Sequence, residues 1–335
     1  MTGQAGLRRA VRGALATCAA LAAISIGILI AISIVAPAPA GAETLRVGKA
    51  GATAFSFVPI DVGVATGIFK NEGLDLQVSS FGGDAKLQQA MVADSIDIGL
   101  GSGPALAFVA KGVPVKGIAA MAGPPLLFAL VVRNDDGIKS VDDLKDRKVG
   151  VSTVGSVTSW IIDEVSRQHG WGNDGMTEVS IGDDGARIAA LKSGALDAAI
   201  VNLAAALNYT DHGGGRVILR FGDLVKHFHI HVIFATDTAI AEKPDALRRF
   251  LKSWFETIAF MRAHKDETAK IAMPVMGTDA TMTAGIYDEL MPMFSDGGRF
   301  DPDAMAVLRR SFVEMKTLPE EPDMNKLVTE AFLPK

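Results

Sequence analysis

The sequence predicts an α/β chain folded into two lobes. Three observations carry that reading. β-α-β units recur along the chain, residues 87–106 align weakly with residues one hundred positions later, as an internal repeat or as two βα units that merely look alike, and roughly 290 residues follow the N-terminal leader, more than one core comfortably organises.

The leader comes first. Arg8, Arg9 and Arg12 are followed by no charge until Glu43, and Leu15, Leu21, Ile24, Ile28, Leu29, Ile32 and Val35 fill the interval. Pro37 and Pro39 break this run, and Ala40-Gly41-Ala42 supplies the small-x-small pattern of a signal-peptidase site. Residues 1–42 therefore read as a secretory signal peptide cleaved near Ala42. The apolar run 14–36 exceeds the roughly 7–15 residues of an ordinary signal core and matches the ~20 that span a bilayer, so a retained anchor is the rival reading. Cys18, inside that run, is the only cysteine. Disulfides, thiolate metal sites and cysteine nucleophiles are thereby excluded from the rest of the chain. Loss of three arginines and no acid moves the net charge from −5 to −8, which argues against a nucleic-acid surface.

The βα pattern begins with a strand at 45–48, a helix at 58–69 stopped by Lys70-Asn71-Glu72-Gly73, and a strand at 74–78. A helix at 85–93, a strand at 96–100 and a helix opening on Pro104 continue it. This alternation implies a mainly parallel sheet. A strand at 129–133 runs into the turn cluster Asn134-Asp135-Asp136-Gly137, and the pattern restarts with a strand at 148–152 and the helix after Gly155. Helix 187–193, strand 198–201, the glycine run 213–215 and strand 230–235 follow. From Pro244 the chain is predicted helical, with Phe250, Trp254, Ile258 and Met261 on one buried face. Residues 87–106 align with 187–206, and Asp97 coincides with Asp197. The alignment sets two strand ends, Gly101-Ser102 and Val201-Asn202, in equivalent places.

Ligands of open parallel sheets bind beyond the carboxyl ends of strands, where helix N-termini offer free N–H groups. Gly101 and Ser102, the run Ser152, Thr153 and Ser156, and Asn202 occupy such positions. Singly they read as helix caps and turn residues; together they read as the walls of one cleft. Gly51, Phe55 and Phe57, in the loop after the first strand, are a further candidate wall, with packing in the core as the alternative for the two rings. His227, His229 and His231 at alternate positions would share one face of a strand, as metal ligands or as hinge residues. No phosphate-binding loop, nucleophile elbow or complete dinucleotide fingerprint is present, so no cofactor is expected.

Gly67-Ile68-Phe69-Lys70-Asn71-Glu72-Gly73-Leu74-Asp75-Leu76 resembles a recurrent segment of the solute-binding proteins of nitrate, sulfonate and taurine ABC transporters. Asp97-Ile98-Gly99 with Gly101-Ser102-Gly103-Pro104, Lys111-Gly112-Val113-Pro114-Val115, and residues 191–198 resemble further pieces in the same order, over roughly 45–255. The resemblance implies a type II periplasmic-binding-protein fold, with 43–132 and 233–335 as lobe 1, 133–232 as lobe 2 and a ligand cleft between them. It also implies a periplasmic monomer that captures a small anionic organic solute by hinge closure and delivers it to an ABC permease and its ATPase. Family ligand contacts fall on Ser102, on the helix start at Thr153–Ser156 and on Asn202. Gly48-Lys49-Ala50-Gly51 departs from relatives that bind thiamine precursors through a tryptophan-rich opening. A pyrimidine-precursor binder or a synthase-like enzyme on the same fold is the alternative.

Overall fold

A computed structural model describes residues 42–335 except 125, 135, 136 and 174. The predicted leader up to residue 41, with Cys18, lies outside the described residues, as do Asp135 and Asp136 of the turn cluster.

The chain enters as β1 (Glu43–Lys49), passes through α1 (Val58–Ala65) and α2 (Ile68–Asn71) to β2 (Leu74–Ser80), and continues as α3 (Asp84–Val92), β3 (Ile98–Ser102), α4 (Leu106–Ala110) and β4 (Val115–Ala122). After a crossing it builds β5 (Phe128–Arg133), β6 (Lys148–Val151), α5 (Val157–Gln168), β7 (Thr177–Ser180), α6 (Asp184–Lys192), β8 (Ala198–Asn202), α7 (Leu203–Asp211) and β9 (Gly215–Arg220). It returns as β10 (His231–Thr236) and finishes in α8 (Asp237–Glu242), α9 (Pro244–Ala263), α10 (Lys265–Met276), α11 (Ala280–Leu290) and α12 (Pro302–Glu314).

Two five-stranded sheets result, ordered β2-β1-β3-β10-β4 and β7-β6-β8-β5-β9. They share one diagram. In each, the first three strands are parallel, and a strand from beside a crossing inserts antiparallel at the fourth place. The mainly parallel expectation is corrected to this extent, because β5 and β10 enter from the opposite end. The expected lobe boundaries shift for the same reason. All of β5 pairs in the second sheet and all of β10 in the first, so the chain crosses at 123–127 and 221–230. The turn cluster at 134–137 marks the far end of β5, not the crossing.

Burial follows from the layers. Ala198 and Ile200 of β8 join one apolar cluster while Ala199 and Val201 join another, so this strand is covered on both faces. Phe250, Trp254, Ile258 and Met261 of α9 are buried as their spacing predicts, and Phe69 stacks on Phe250 at 5.3 Å between ring centres. The helix expected at 58–69 breaks at Gly67, whose φ of 76° is a left-handed turn that suits glycine. β4, β7 and β9 escape the sequence reading. β4 shows why: Gly117, Ala119, Ala120 and Ala122 carry little β-branched signal, and burial between neighbours makes it a strand.

The sequence repeat is a repeat of structure. Helices α3 and α6 have nine residues each and begin one hundred positions apart, as do β3 and β8. Asp97 accepts the Arg46 amide at 2.8 Å, and Asp197 accepts the Lys148 amide at 2.8 Å. Their surroundings differ. Asp97 is buried and also receives Arg46 Nη2 at 2.7 Å and Lys243 Nζ at 3.1 Å, whereas the nearest guanidinium to Asp197, Arg147, lies 4.0 Å away. Burial alone would raise the Asp97 carboxyl, but the bonds from Arg46 and Lys243 outweigh it and hold the group below the usual range. Asp97→Ala is accordingly expected to cost roughly 2–3 kcal/mol and Asp197→Ala roughly 1 kcal/mol, read from denaturant unfolding. Equal costs would show that the buried network adds nothing.

Candidate functional site

The two lobes meet along a seam made by loops at the carboxyl ends of their strands. Asn202 Nδ2 donates to Thr53 Oγ1 at 3.0 Å, Thr53 Oγ1 lies 3.4 Å from Asp184 Oδ2, and the Ala85 amide donates to Thr153 Oγ1 at 3.3 Å. Each of these bonds joins one lobe to the other. Glycines permit the approach: a Cβ on Gly82 would lie 3.4 Å from Gly182 Cα, and one on Gly83, at φ 128°, would lie 2.5 Å from Thr153 Cγ2. Inside the seam is a chamber of about 50 Å³ bordered by Gly51, Phe57, Asp84, Ser152, Arg187 and His231. That is room for a water or two, well below the ~300–1,000 Å³ of an organic-ligand site.

Charge inside the seam follows the repeat. Asp84 Oδ1 accepts the Ser102 amide at 2.7 Å, and Asp184 Oδ1 accepts the Asn202 amide at 3.0 Å. The two aspartates open α3 and α6. Asp184 is balanced by Arg187 Nη2 at 2.5 Å, while Arg187 Nη1 donates to the Gly182 carbonyl. Among the described residues no such cation bonds Asp84, and burial pushes its carboxyl up to about 6 against the pull of the Ser102 bond. Burial also drives His231 down to about 3, so this imidazole is neutral at physiological pH, with Phe57 edge-on at 4.8 Å.

Beside the seam, and again between the lobes, runs a groove of about 620 Å³. One wall is Pro104, Phe108, Phe312 and Met315 from the first lobe; the other includes Ser156, Ser159, Trp160, Met176 and Glu178 from the second. The segment 152–159 separates groove from chamber. Its hydroxyls bond to one another, Ser152 Oγ to Ser156 Oγ at 2.9 Å and Ser156 Oγ to Thr158 Oγ1 at 2.8 Å. Ser159 Oγ donates to Glu178 Oε2 at 2.9 Å. Among the described residues, Glu178 Oε1 and Trp160 Nε1 are buried without a hydrogen-bond partner, a condition that costs about 1–3 kcal/mol per group.

The residues picked out from sequence divide between these places. Gly51, Phe57 and Ser152 border the chamber and Ser156 the groove. Thr153 and Asn202 are seam residues, and Asn202 and Ser156 also cap α7 and α5. Ser102 is fully buried and contributes its amide to Asp84, and Gly101 lies against the same carboxylate, since a Cβ there would be 2.9 Å from Asp84 Oδ1. Phe55 packs in the core between Tyr287 and Phe294, bordering neither space. The three histidines do not share a strand face, because the strand starts only at His231. His229 Nε2 accepts the Asp301 amide at 3.0 Å, burial lowers its pKa to about 4, and the exposed His227 lies 3.6 Å from Asp301 Oδ2. Sequence reasoning missed Thr53, Asp84, Trp160, Glu178, Asp184 and Arg187. The alignment of 87–106 with 187–206, extended three residues toward the N-terminus, pairs Asp84 with Asp184 and exposes the first signal.

Twin sheets, two crossings and a cleft at the strand ends define the two-lobed architecture of periplasmic binding proteins. The structure is similar to the alkanesulfonate-binding protein of Xanthomonas axonopodis pv. citri bound to MOPS, with TM-score 0.74, 16% identity and coverage of 87% of this chain and 99% of that one. A Candida albicans protein described as having the generic periplasmic binding protein fold also gives TM-score 0.74, at 18% identity over 86% of this chain and 96% of that one. The family model described as NMT1/THI5 like matches residues 54–268, and the chain belongs to that family. It is 25% identical to the 4-amino-5-hydroxymethyl-2-methylpyrimidine phosphate synthase of Candida albicans over 223 residues, spanning 63% of this chain and only 65% of that relative. It is 22% identical to a putative aliphatic sulfonates-binding protein of Bacillus subtilis over 253 residues, 75% of each chain.

Asp84 makes stability depend on pH in a defined direction. Its carboxyl holds a proton in the fold up to about pH 6, whereas the unfolded chain releases it near pH 4. The stabilisation is therefore full below about pH 4 and lost as pH rises through about 6. Asp84→Asn keeps an acceptor for Ser102, and is expected to stabilise the protein by about 1–3 kcal/mol at pH 7.5 and by nothing at pH 3.5. Thermal unfolding at both pH values checks this, and a gain of the same size at both would refute the assignment.

Proposed function

We propose that this protein is the solute-binding component of an ABC importer, acting as a periplasmic monomer after loss of residues 1–42. It takes a small organic solute between its lobes and presents it to a membrane permease and its partner ATPase. The carrying observation is the 620 Å³ groove, which has the size of an organic-ligand site and draws its walls from both lobes. A solute touching both walls gains contacts only when the lobes are together, and that difference biases the hinge toward closure. The similarity to sulfonate-binding proteins supports the reading. The ionisable side chains on the groove wall, Lys111, Asp163, Glu178 and Lys316, balance in sign. No net attraction for an anion comes from them.

The seam supplies the other half of the mechanism. Thr53 and Thr153 are hydrogen-bonded across it, so closure has intrinsic contacts that a solute supplements. Thr53→Val removes one such partner, worth about 1 kcal/mol, and is expected to shift the open–closed balance roughly fivefold toward open. Small-angle scattering should show a larger radius of gyration for this variant without solute. An unchanged radius would remove the seam from the closing mechanism.

Residues 43–335 should be screened by thermal shift against alkanesulfonates, nitrate, aromatic acids and pyrimidines. A solute present at a hundred times its Kd adds about 2.7 kcal/mol and raises Tm measurably. Conversion of any of these into a new product would replace the receptor reading with a synthase-like one, to which the Candida albicans relative gives its name.

A further inference from the structure

The repeat shows what completes an aspartate at the seam, and in one lobe most of that set is missing. Asp184 collects donors on both oxygens, Arg187 Nη2 and the Asn202 amide on Oδ1, Asn202 Nδ2 and Thr53 Oγ1 on Oδ2. At the offset of one hundred, the counterparts of Asp184, Arg187, Asn202 and Thr53 are Asp84, Leu87, Ser102 and Thr153. Leu87 has no donor to give. Thr153 bonds the Ala85 amide instead, and of the counterparts only the Ser102 amide bonds the Asp84 carboxylate, on Oδ1. Asp84 is 3% exposed and borders the chamber of about 50 Å³ inside the seam. Its Oδ2 receives no hydrogen bond among the described residues yet is not sealed from solvent, so the free side of the carboxylate opens on that space. Arg187 is committed to Asp184 and the Gly182 carbonyl, and the exposed Lys86 reaches Gly82 and Gly182 without bonding Asp84. Around the chamber Asp84, Asp183 and Asp184 thus outnumber Arg187, while burial keeps His231 neutral.

We propose that this chamber is a site for a nitrogen cation, an ammonium, amidinium or guanidinium group that donates to Asp84 Oδ2 and takes the part Arg187 plays for Asp184. The inference goes beyond the groove of the receptor reading and does not depend on it. Such a group brings both things Asp84 lacks, N–H donors and positive charge, and the bond it makes is charge-assisted. An anion would face the carboxylate at close range, where like charge opposes it. Calcium and magnesium take about six or more oxygen ligands, whereas Ala54, Phe57 and Phe128 give much of the chamber an apolar lining. The volume suits a head group of a few heavy atoms, either a free small ion or the end of a longer solute that enters as the seam parts. Burial also raises the Asp84 carboxyl to about 6, as expected of a carboxylate without a counter-charge.

Titration calorimetry on the purified protein, in potassium chloride at constant ionic strength, tests this with methylguanidinium, butylguanidinium and methanesulfonate on the parent and on Asp84→Asn. Asn keeps an acceptor for the Ser102 amide and removes the charge. Methylguanidinium is expected to bind the parent at pH 7.5 and to weaken at least tenfold in Asp84→Asn. It is also expected to weaken about tenfold in the parent at pH 5, where the Asp84 carboxyl is mostly protonated. Asp183, Asp184, Arg187, His231 and Lys86 are unchanged in the variant, so a pH effect confined to the parent isolates Asp84. Circular dichroism checks folding, and Asp84→Ser replaces Asp84→Asn should the latter not fold. Butylguanidinium that binds more tightly than methylguanidinium, with the same dependence on Asp84, identifies the ligand as the end of a longer solute; equal or weaker binding identifies it as the free ion. Guanidinium ions that fail to bind at millimolar concentration, that bind Asp84→Asn as they bind the parent, or that bind less tightly than methanesulfonate overturn the inference. A solute from the thermal-shift screen that still raises Tm in that case leaves the receptor reading standing without the chamber site.

Discussion

Asp84 and Asp184 each take the amide of the residue that ends a strand eighteen positions later. The constraint is simple. A helix that opens on an aspartate is tied, through that side chain, to the last residue of the neighbouring strand, so helix start and strand end cannot drift apart. Both lobes use this tie at the surface where they meet, and the loops forming the seam hang from it. Because Arg187 neutralises one carboxylate and no cation among the described residues neutralises the other, two equivalent positions have unequal electrostatic character. The repeat is thus conserved in geometry and broken in charge.

Seam and groove divide the labour of the cleft. The seam has short cross-lobe bonds, close glycines and little free volume; the groove has volume and apolar surface. Closing the lobes gains the first set of contacts whether or not a solute is present. Filling the groove gains the second only when one is. On the proposed solute-binding reading, a solute adds a modest bias to contacts the lobes already share, in keeping with the few kcal/mol that separate such states.

Much of the fold was legible in the sequence because its strongest signals are local. Alternation marked β1, the helical face of α9 was written in Phe250, Trp254, Ile258 and Met261, and the offset of one hundred between Asp97 and Asp197 revealed two equivalent units. What escaped depends on long-range pairing. Strand β5 reads locally like the end of one lobe, and only its bonds to β8 and β9 place it in the other. For the site, positions at strand ends were found, yet their tasks were not. Thr153 and Asn202 look like ligand donors in sequence and act across the seam in structure, whereas Trp160 falls in a segment read only as a helix and Glu178 in a strand that the sequence did not show.

The insertion of β10 between β3 and β4 has a consequence for how the chain acquires its shape. The first sheet has a gap between β3 and β4 until residue 236 has been made, since β10 fills that position. The second lobe is one contiguous stretch, 128–220, but the first is not, and it cannot complete itself while the second is still emerging. Contacts so distant in sequence slow folding. The first lobe must therefore wait, with open strand edges, for most of the chain to arrive, whereas all strands of the second are present once residue 220 has been made.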